Sequence, residues 1–306
     1  MDRLPNPVDY AVPAFIALIL IEMVAARRRD PTRYESRDTL TSLLLGTGST
    51  VAGVLLGGLA VGAAVWAYQF RLFDIGLAWP IWWWAWILCF VLDDFFYYMF
   101  HRAAHRVRWF WASHVIHHSS QHYNLSTALR QTWTGVISLS FLFRIPLVLV
   151  GFPPEMVLFC GALNLIYQFW IHTEVIGRMP AWFEAVMNTP SHHRVHHAVN
   201  PRYLDANYAG TFIVWDKLFG TFVAEVDMDQ PRYGIVRQLG SFNFLWAAFH
   251  EWVGIARDVR AAPWRHKLSY VWREPGWTHD GSRLTSDMIR ARWRATAVQE
   301  EFRDIP

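Results

Sequence analysis

Apolar runs broken by short charged stretches fill the first half of this 306-residue chain, and none of comparable length follows residue 172. Residues 10–26 (YAVPAFIALILIEMVAA) form a first run, interrupted only by Glu22 and followed at once by Arg27, Arg28 and Arg29. A second, longer run covers residues 40–69 and is rich in glycine (Gly46, Gly48, Gly53, Gly57, Gly58, Gly62). A membrane span needs about 20 residues, so this run is expected to be tilted, broken or overlong. Its glycines are of the kind that lets helices approach closely. Residues 77–100 form a third run, with Trp82, Trp83, Trp84 and Trp86 at its start as an interfacial aromatic belt. Two more apolar runs, 134–151 and 154–172, flank Gly151-Phe152-Pro153-Pro154 and predict a helical hairpin; Arg144 and Pro146 interrupt its first arm and leave full crossing open. The expected fold is an all-α polytopic membrane bundle of about four to five embedded helices under a helical cytoplasmic cap. Its divisions fall at 1–76, 77–225 and 226–306.

The arginines after the first run mark a cytoplasmic helix end. Three crossings then place residue 101 in the cytoplasm, and the hairpin returns residue 172 to that side. Composition agrees with a membrane protein: 53% of residues are hydrophobic, 17% are charged and 18 are tryptophan. The net charge of +3 comes almost entirely from arginine, with lysine only at 217 and 267, and no basic tract argues for nucleic acid. The basic surplus suits anionic lipid, and the tryptophan- and arginine-rich tail from about 255 is expected along the membrane surface. Cys89 and Cys160 lie in apolar runs and read as small core residues. No cleavable signal peptide is expected at the N-terminus.

The chemistry lies where the apolar runs end. His101 and His105 are spaced HxxxH; His114, His117 and His118 are spaced HxxHH; His193, His196 and His197 repeat HxxHH. On a helix the HxxxH pair falls within about 40° and each HxxHH set within roughly 100°. Imidazole suits iron, copper, nickel and zinc. Eight clustered histidines exceed the four-ligand need of one zinc and suggest two metals. A pair of metals can hold dioxygen or a substrate atom between them; zinc would serve only hydrolysis, and the HExxH signature is missing. His192 lies about 40° from His196 and is a further candidate ligand or supporting residue. Metal-bound histidines usually donate their second nitrogen to a carboxylate or carbonyl. Asp94, two turns before His101, and Asp205, Asn207 and Asp216, just after the last cluster, are candidates for that role. Arg130 and Asn124 read equally as head-group contacts or as structural residues.

Three stretches, DDFFYYMFHRAAH (93–105), WASHVIHHSSQHYNLSTALRQ (111–131) and NTPSHHRVHHAVNPRYLDANYAGTFIVWDKLFGTF (188–222), resemble the fatty acid hydroxylase/sterol desaturase superfamily of membrane di-iron enzymes. Within it, NLSTALRQ (124–131), YQFWIHTE (167–174) and NTPSHHRVHH (188–197) look most like the alkylglycerol monooxygenase branch. The resemblance implies that the three clusters are histidine boxes and that His172 is an additional ligand. It implies two iron ions, dioxygen, a lipid substrate, and hydrogen abstraction from an aliphatic carbon followed by hydroxyl rebound. In that branch the carbon adjoins an ether oxygen and tetrahydrobiopterin is the reductant; elsewhere a separate electron-transfer protein serves. No GxGxxG fingerprint is seen, so electrons come from outside the chain. A desaturase or head-group hydroxylase would use the same ligands. A metal transporter or sensor would instead string histidines through the spans. The expected location is a bacterial inner membrane or the endoplasmic reticulum, with the site on the cytoplasmic face.

Overall fold

The computed structural model describes residues 6–76 and 83–303; the side chains of Arg27, Arg29 and residues 297–303 lie outside the description, as does Trp82 of the expected aromatic belt. No strand forms among the described residues, where β pairing is limited to the isolated bridges Met187–Phe212 and Ala198–Tyr233.

Helix α1 (Pro7–Arg29) begins with Asn6 accepting from the Val8 amide and Pro7 in the first turn, both favourable at a helix start. Helix α2 runs unbroken from Ser36 to Tyr68. Its 33 residues reach about 50 Å, well beyond a hydrocarbon layer of about 30 Å. The excess has a place: Asp38, Thr39, Thr41, Ser42 and Leu45, in the first three turns, are buried against the rest of the protein. Beyond Gly48 the helix is almost bare, with Val54 80% and Leu55 74% exposed. In the apolar windows of α1 and α2 only 11% and 6% of residues are buried. The core helix of a soluble protein would be covered, so these faces are built for lipid.

Helix α3 (Trp83–Arg106) carries the third run straight into HxxxH, and α4 (Arg108–His118) follows after one residue. The hairpin is uneven: a six-residue α5 (Ile145–Val150) and a full α6 (Pro154–Trp170). Its tip lies at the end of the bundle away from the histidines, where Leu72 and Phe73 donate to the carbonyls of Leu149 and Val150. Gly151 turns there at φ 130°, and any Cβ would strike the Phe73 carbonyl. Ala85, Cys89, Leu147, Phe152, Met156 and Cys160 close the apolar core at that end, and both cysteines are free.

Among the described residues only α1 and α2 are long and apolar enough to cross a membrane on those grounds alone, fewer than the count expected from the runs. Asp93 and Asp94 interrupt α3, and Arg144 interrupts the hairpin. Two of these charges pair, Arg144 Nε donating to the buried Asp93 at 2.7 Å. Glu22, the break in the first run, accepts from Tyr34, the Leu125 amide and the Thr173 hydroxyl. It thereby docks α1 onto the segments that flank α4 and follow α6.

The remaining short helices are α7 (Ala181–Glu184), α8 (Pro190–His196) and α9 (Val214–Leu218). Helix α10 (Phe244–Ala261) is clamped to α4 by Arg108, which meets Glu251 at 2.6 Å and Asp258 at 2.8 Å. After α11 (Ser269–Trp272), α12 (Ser286–Arg303) ties back through Asp287 to Arg106 and through Arg290 to the Leu204 carbonyl.

The glycines of α2 divide by position. A Cβ on Gly48 would lie 2.2 Å from the Trp133 ring, whereas Gly53, Gly57, Gly58 and Gly62 face open space. Gly48→Ala is expected to destabilise the protein by about 1–3 kcal/mol. Gly57→Ala should be neutral or slightly stabilising. Thermal unfolding in detergent reads both, and equal midpoints for the two variants would contradict this packing.

Candidate metal centre

Nine histidines gather at the ends of α3, α4, α6 and α8 and fall into two groups: His101, His105, His114, His118 and His196, and His117, His172, His193 and His197. Within each group one nitrogen per ring lies within 4.8 Å of all the others. These are the eight box histidines plus His172. Each HxxHH box serves both groups: adjacent helical residues point about 100° apart, so His117 and His118 part company, and so do His196 and His197.

Backbone carbonyls aim the rings. His101 Nδ1 donates to the Tyr208 carbonyl at 2.7 Å and His196 Nδ1 to Ala206 at 3.0 Å. His172 Nδ1 donates to Gln168 at 2.7 Å and His117 Nδ1 to Arg130 at 3.3 Å. A carbonyl only accepts, so each of these Nδ1 atoms carries the proton, and each neutral ring turns a bare Nε2 lone pair inward. The Nε2 atoms of His117 and His172 then face each other at 3.1 Å with no proton between them. Two acceptors at that distance repel unless a cation lies between them. His105 Nε2 is buried and has no hydrogen-bond partner, a further donor atom aimed at a common centre.

The closest nitrogen pairs, His101–His114, His172–His193 and His114–His118, are 2.9, 3.0 and 3.1 Å apart. Ligands about 2.1 Å from a shared ion are about 3.0 Å apart at right angles and about 3.4 Å apart in a tetrahedron. The donor set fits a transition metal in each group, with angles closer to right angles than to the tetrahedron of structural zinc. Burial, aided by neighbouring imidazoles, holds His114, His118, His193, His196 and His197 well below the usual histidine range. They are neutral at pH 7, as ligation requires.

The carboxylates expected to back the rings stand one step further out. Asp94 bonds no histidine; it accepts from the Thr211 and Phe212 amides and from Trp215 Nε1. Asp216 accepts from the Tyr208 and Ala209 amides. Together they brace the 206–212 loop, whose carbonyls hold His196 and His101. Asn207 fastens the same loop to Val223 and to the His192 carbonyl. Asp205 alone approaches a ring, 3.4 Å from His105 Nδ1, and it shares Arg106. Asp205 and Asn207 both sit at positive φ, 54° and 56°, a cost of order 1–3 kcal/mol each that the surrounding bonds must overcome.

His192 lies outside both groups, 3.9 Å from Glu184, with a buried Nδ1 that lacks a partner. Arg130 and Asn124 are structural: Arg130 is buried and paired with Asp38 at 2.9 Å, and Asn124 caps the 125–129 turn. The carbonyls of Gln168, Ala206 and Tyr208 carry no sequence signal, since every residue has one. Tyr123, whose ring lies 5.1 Å from that of His197, belonged to no recognised spacing either.

Residues 86–221, which hold all nine histidines, match the fatty acid hydroxylase family model. Residues 86–221 carry a fatty acid hydroxylase domain by that match, over less than half of the chain. The chain is 39% identical over 295 residues to an alkylglycerol monooxygenase of Danio rerio, covering 93% of this chain and 63% of the relative. It is 39% identical to the Homo sapiens alkylglycerol monooxygenase over 289 residues, with the same two coverages. It is 31% identical to the ornithine lipid hydroxylase OlsE of Rhizobium tropici, over 44% of this chain and 41% of the relative. The chain therefore spans less than two thirds of the length of the alkylglycerol monooxygenases it matches. No solved structure matches it.

Acid should unfold the metal-free protein. Below about pH 6.5 the unfolded imidazoles take up protons that the buried ones refuse. Their contribution is complete above that pH and is lost below it, at up to about 1.4 kcal/mol per pH unit for each ring. The thermal midpoint of chelator-treated protein should be level above about pH 6.5 and fall steeply below it; a flat profile there would contradict the burial.

Proposed function

We propose that the protein is a membrane-bound di-iron lipid monooxygenase that hydroxylates the ether-adjacent carbon of an alkylglycerol. The convergence of two imidazole groups, with facing lone pairs, at one end of a lipid-exposed helical bundle carries this reading. The likeness to alkylglycerol monooxygenases over 93% of the chain supports the substrate class. His101, His105, His114, His118 and His196 hold one iron, and His117, His172, His193 and His197 hold the other. Together the irons supply redox activation of dioxygen, which zinc does not offer; the near-right-angled nitrogen separations also favour iron. Asp94, Asp205, Asn207 and Asp216 fix the loop that orients the rings, and His192 with Glu184 braces α8.

The chain's own residues fit a reaction on a lipid. The bare faces of α1 and α2 keep the alkyl tail in the bilayer, and the site lies at the level where α1, α3 and α6 end. Hydroxylation next to an ether oxygen gives a hemiacetal, which collapses to an aldehyde and a glycerol derivative. The protein is multi-pass, with residues 1–76, 77–225 and 226–306 as membrane anchor, catalytic unit and surface tail. The site faces the cytoplasm, of a bacterium or at the endoplasmic reticulum. Electrons arrive from outside the chain, from tetrahydrobiopterin or from an electron-transfer protein. The ornithine lipid hydroxylase likeness favours head-group hydroxylation as the second reading.

Purified protein should carry two irons per chain and take up oxygen only with lipid present. His118→Ala and His197→Ala should each abolish turnover while membrane insertion persists; turnover retained in either would refute its assignment. Lipid mass spectrometry of cells fed alkylglycerol, with a pterin supplement, should show loss of the ether lipid and gain of aldehyde. Gain of hydroxylated head groups instead would establish the second reading.

A further inference from the structure

Helix α10 has two apolar faces, and only one of them is used inside the protein. Ala247, Ala248, Gly254 and Ile255 are buried, and Glu251 and Asp258 on the same side grip Arg108 of α4. At 100° per residue these six positions fall within an arc of about 120°. Leu245, Trp246, Phe249 and Val253 fall within about 100° on the opposite side, and all four are exposed. In the next segment Trp264, Leu268 and Trp272, spaced four apart, are exposed as well, at 82%, 74% and 54%. Large apolar side chains left bare at this density mark a partner or a membrane.

Two observations name the partner. The first is charge. Arg257 and Arg260 continue the stripe at the C-terminal end of α10, and Arg265, Lys267 and Arg273 flank the tryptophans that follow; all five are exposed. Asp258 is the one carboxylate in the sequence between 257 and 273, and it is shared among Arg108, Arg283 and Arg257, at 2.8, 2.6 and 3.5 Å. Tryptophan and leucine set among arginine and lysine suit the boundary between acyl chains and anionic head groups. The second observation is continuity. Thr41 of α2 donates to the Phe242 carbonyl at 2.8 Å, and Leu45 packs with Ala247 and Ala248. Trp133, which covers Gly48, brings its ring to 5.9 Å from that of Phe249. The stripe therefore begins beside the point where α2 passes from buried to bare. Helix α12 is fastened to the cap instead: Arg202 lies 4.9 Å over the Trp293 ring, and Arg290 donates to the Leu204 carbonyl.

We infer that the outer face of α10 and residues 264–272 seat in an anionic lipid leaflet, on the side of the bilayer that holds the histidines. The inference rests on the membrane-bound reading. The anchor reaches the metal centre through Arg108, because α4, which that arginine ties to α10, carries His114, His117 and His118. Lipid contact on one side of α10 thus fixes the depth of the site on the other.

The test places one nitroxide at a time on the whole chain in nanodiscs of phosphatidylcholine, with or without phosphatidylglycerol. Both native cysteines are buried, so labelling follows the introduced one. Val54→Cys on the bare face of α2 reports the membrane reading, and the exposed Arg292→Cys on α12 reports water. At Val253→Cys and Leu268→Cys, the ratio of relaxation by oxygen to relaxation by a water-soluble nickel chelate should be several-fold above that at Arg292→Cys and close to that at Val54→Cys. Phosphatidylglycerol should raise the ratio further, and salt should reverse that increment. Adding Arg257→Gln, Arg260→Gln, Arg265→Gln and Lys267→Gln together should abolish the increment. Water-like values at 253 and 268 beside lipid-like values at 54 would overturn the inference alone; water-like values at all three would overturn the membrane reading with it. Shielding of 253 and 268 from both reagents would assign the face to a protein partner, a second copy included, and values blind to phosphatidylglycerol would exclude the anionic leaflet; either result overturns the inference.

Discussion

The hydrogen bond from an imidazole Nδ1 to a backbone carbonyl is the interaction on which the site depends. It fixes the tautomer, and the tautomer fixes where the lone pair points. At His101, His117, His172 and His196 the bond runs to Tyr208, Arg130, Gln168 and Ala206. Two of those carbonyls come from the one irregular loop after α8. That loop carries two non-glycine residues in the left-handed region and is held there by Asp94 and Asp216. The carboxylates act on the metal site through the main chain rather than by touching a ring.

The same logic governs the bundle. A charge inside an apolar segment is costly unless it is paired, and here each such charge has been placed to join two elements. Asp93 and Arg144 join α3 to the start of the hairpin. Glu22 joins α1 to the turns that flank the site. Asp38 and Arg130 join the buried base of α2 to the segment following α4. The positions that interrupt hydropathy along the chain are thus the positions that assemble the bundle around the histidines.

All-helical architecture and the gathering of three histidine clusters were legible because both depend on short-range spacing. Helical periodicity alone puts His114, His117 and His118 on neighbouring faces. His172 was reached only through family resemblance, because it stands alone in sequence and gains its partners from α4 and α8. The count of spans was less legible. Arg144 was visible as a break in the hairpin's first arm, whereas Asp93 and Asp94 lower the apolarity of a third run that reads as continuous. The overlong α2 was visible as a length, but the burial of its first turns depends on Trp133, Phe242 and Arg130, all distant in the chain. The role of Asp94 was misplaced for a similar reason. Sequence spacing puts it on the same helical face as His101, and only the tertiary fold reveals that its carboxylate is taken by the Thr211 and Phe212 amides and by Trp215 Nε1.

The parting of each histidine doublet has a consequence for how the protein matures. One short helix, α4, presents rings to both groups, and α8 with the residue after it does the same. On the di-iron reading, seating the first ion would immobilise α4 and the α8 segment, which carry most of the rings of the other cradle, so the second ion would meet a scaffold whose ordering entropy has largely been spent. On that reading occupancy should rise as a pair, and a singly loaded form should be scarce.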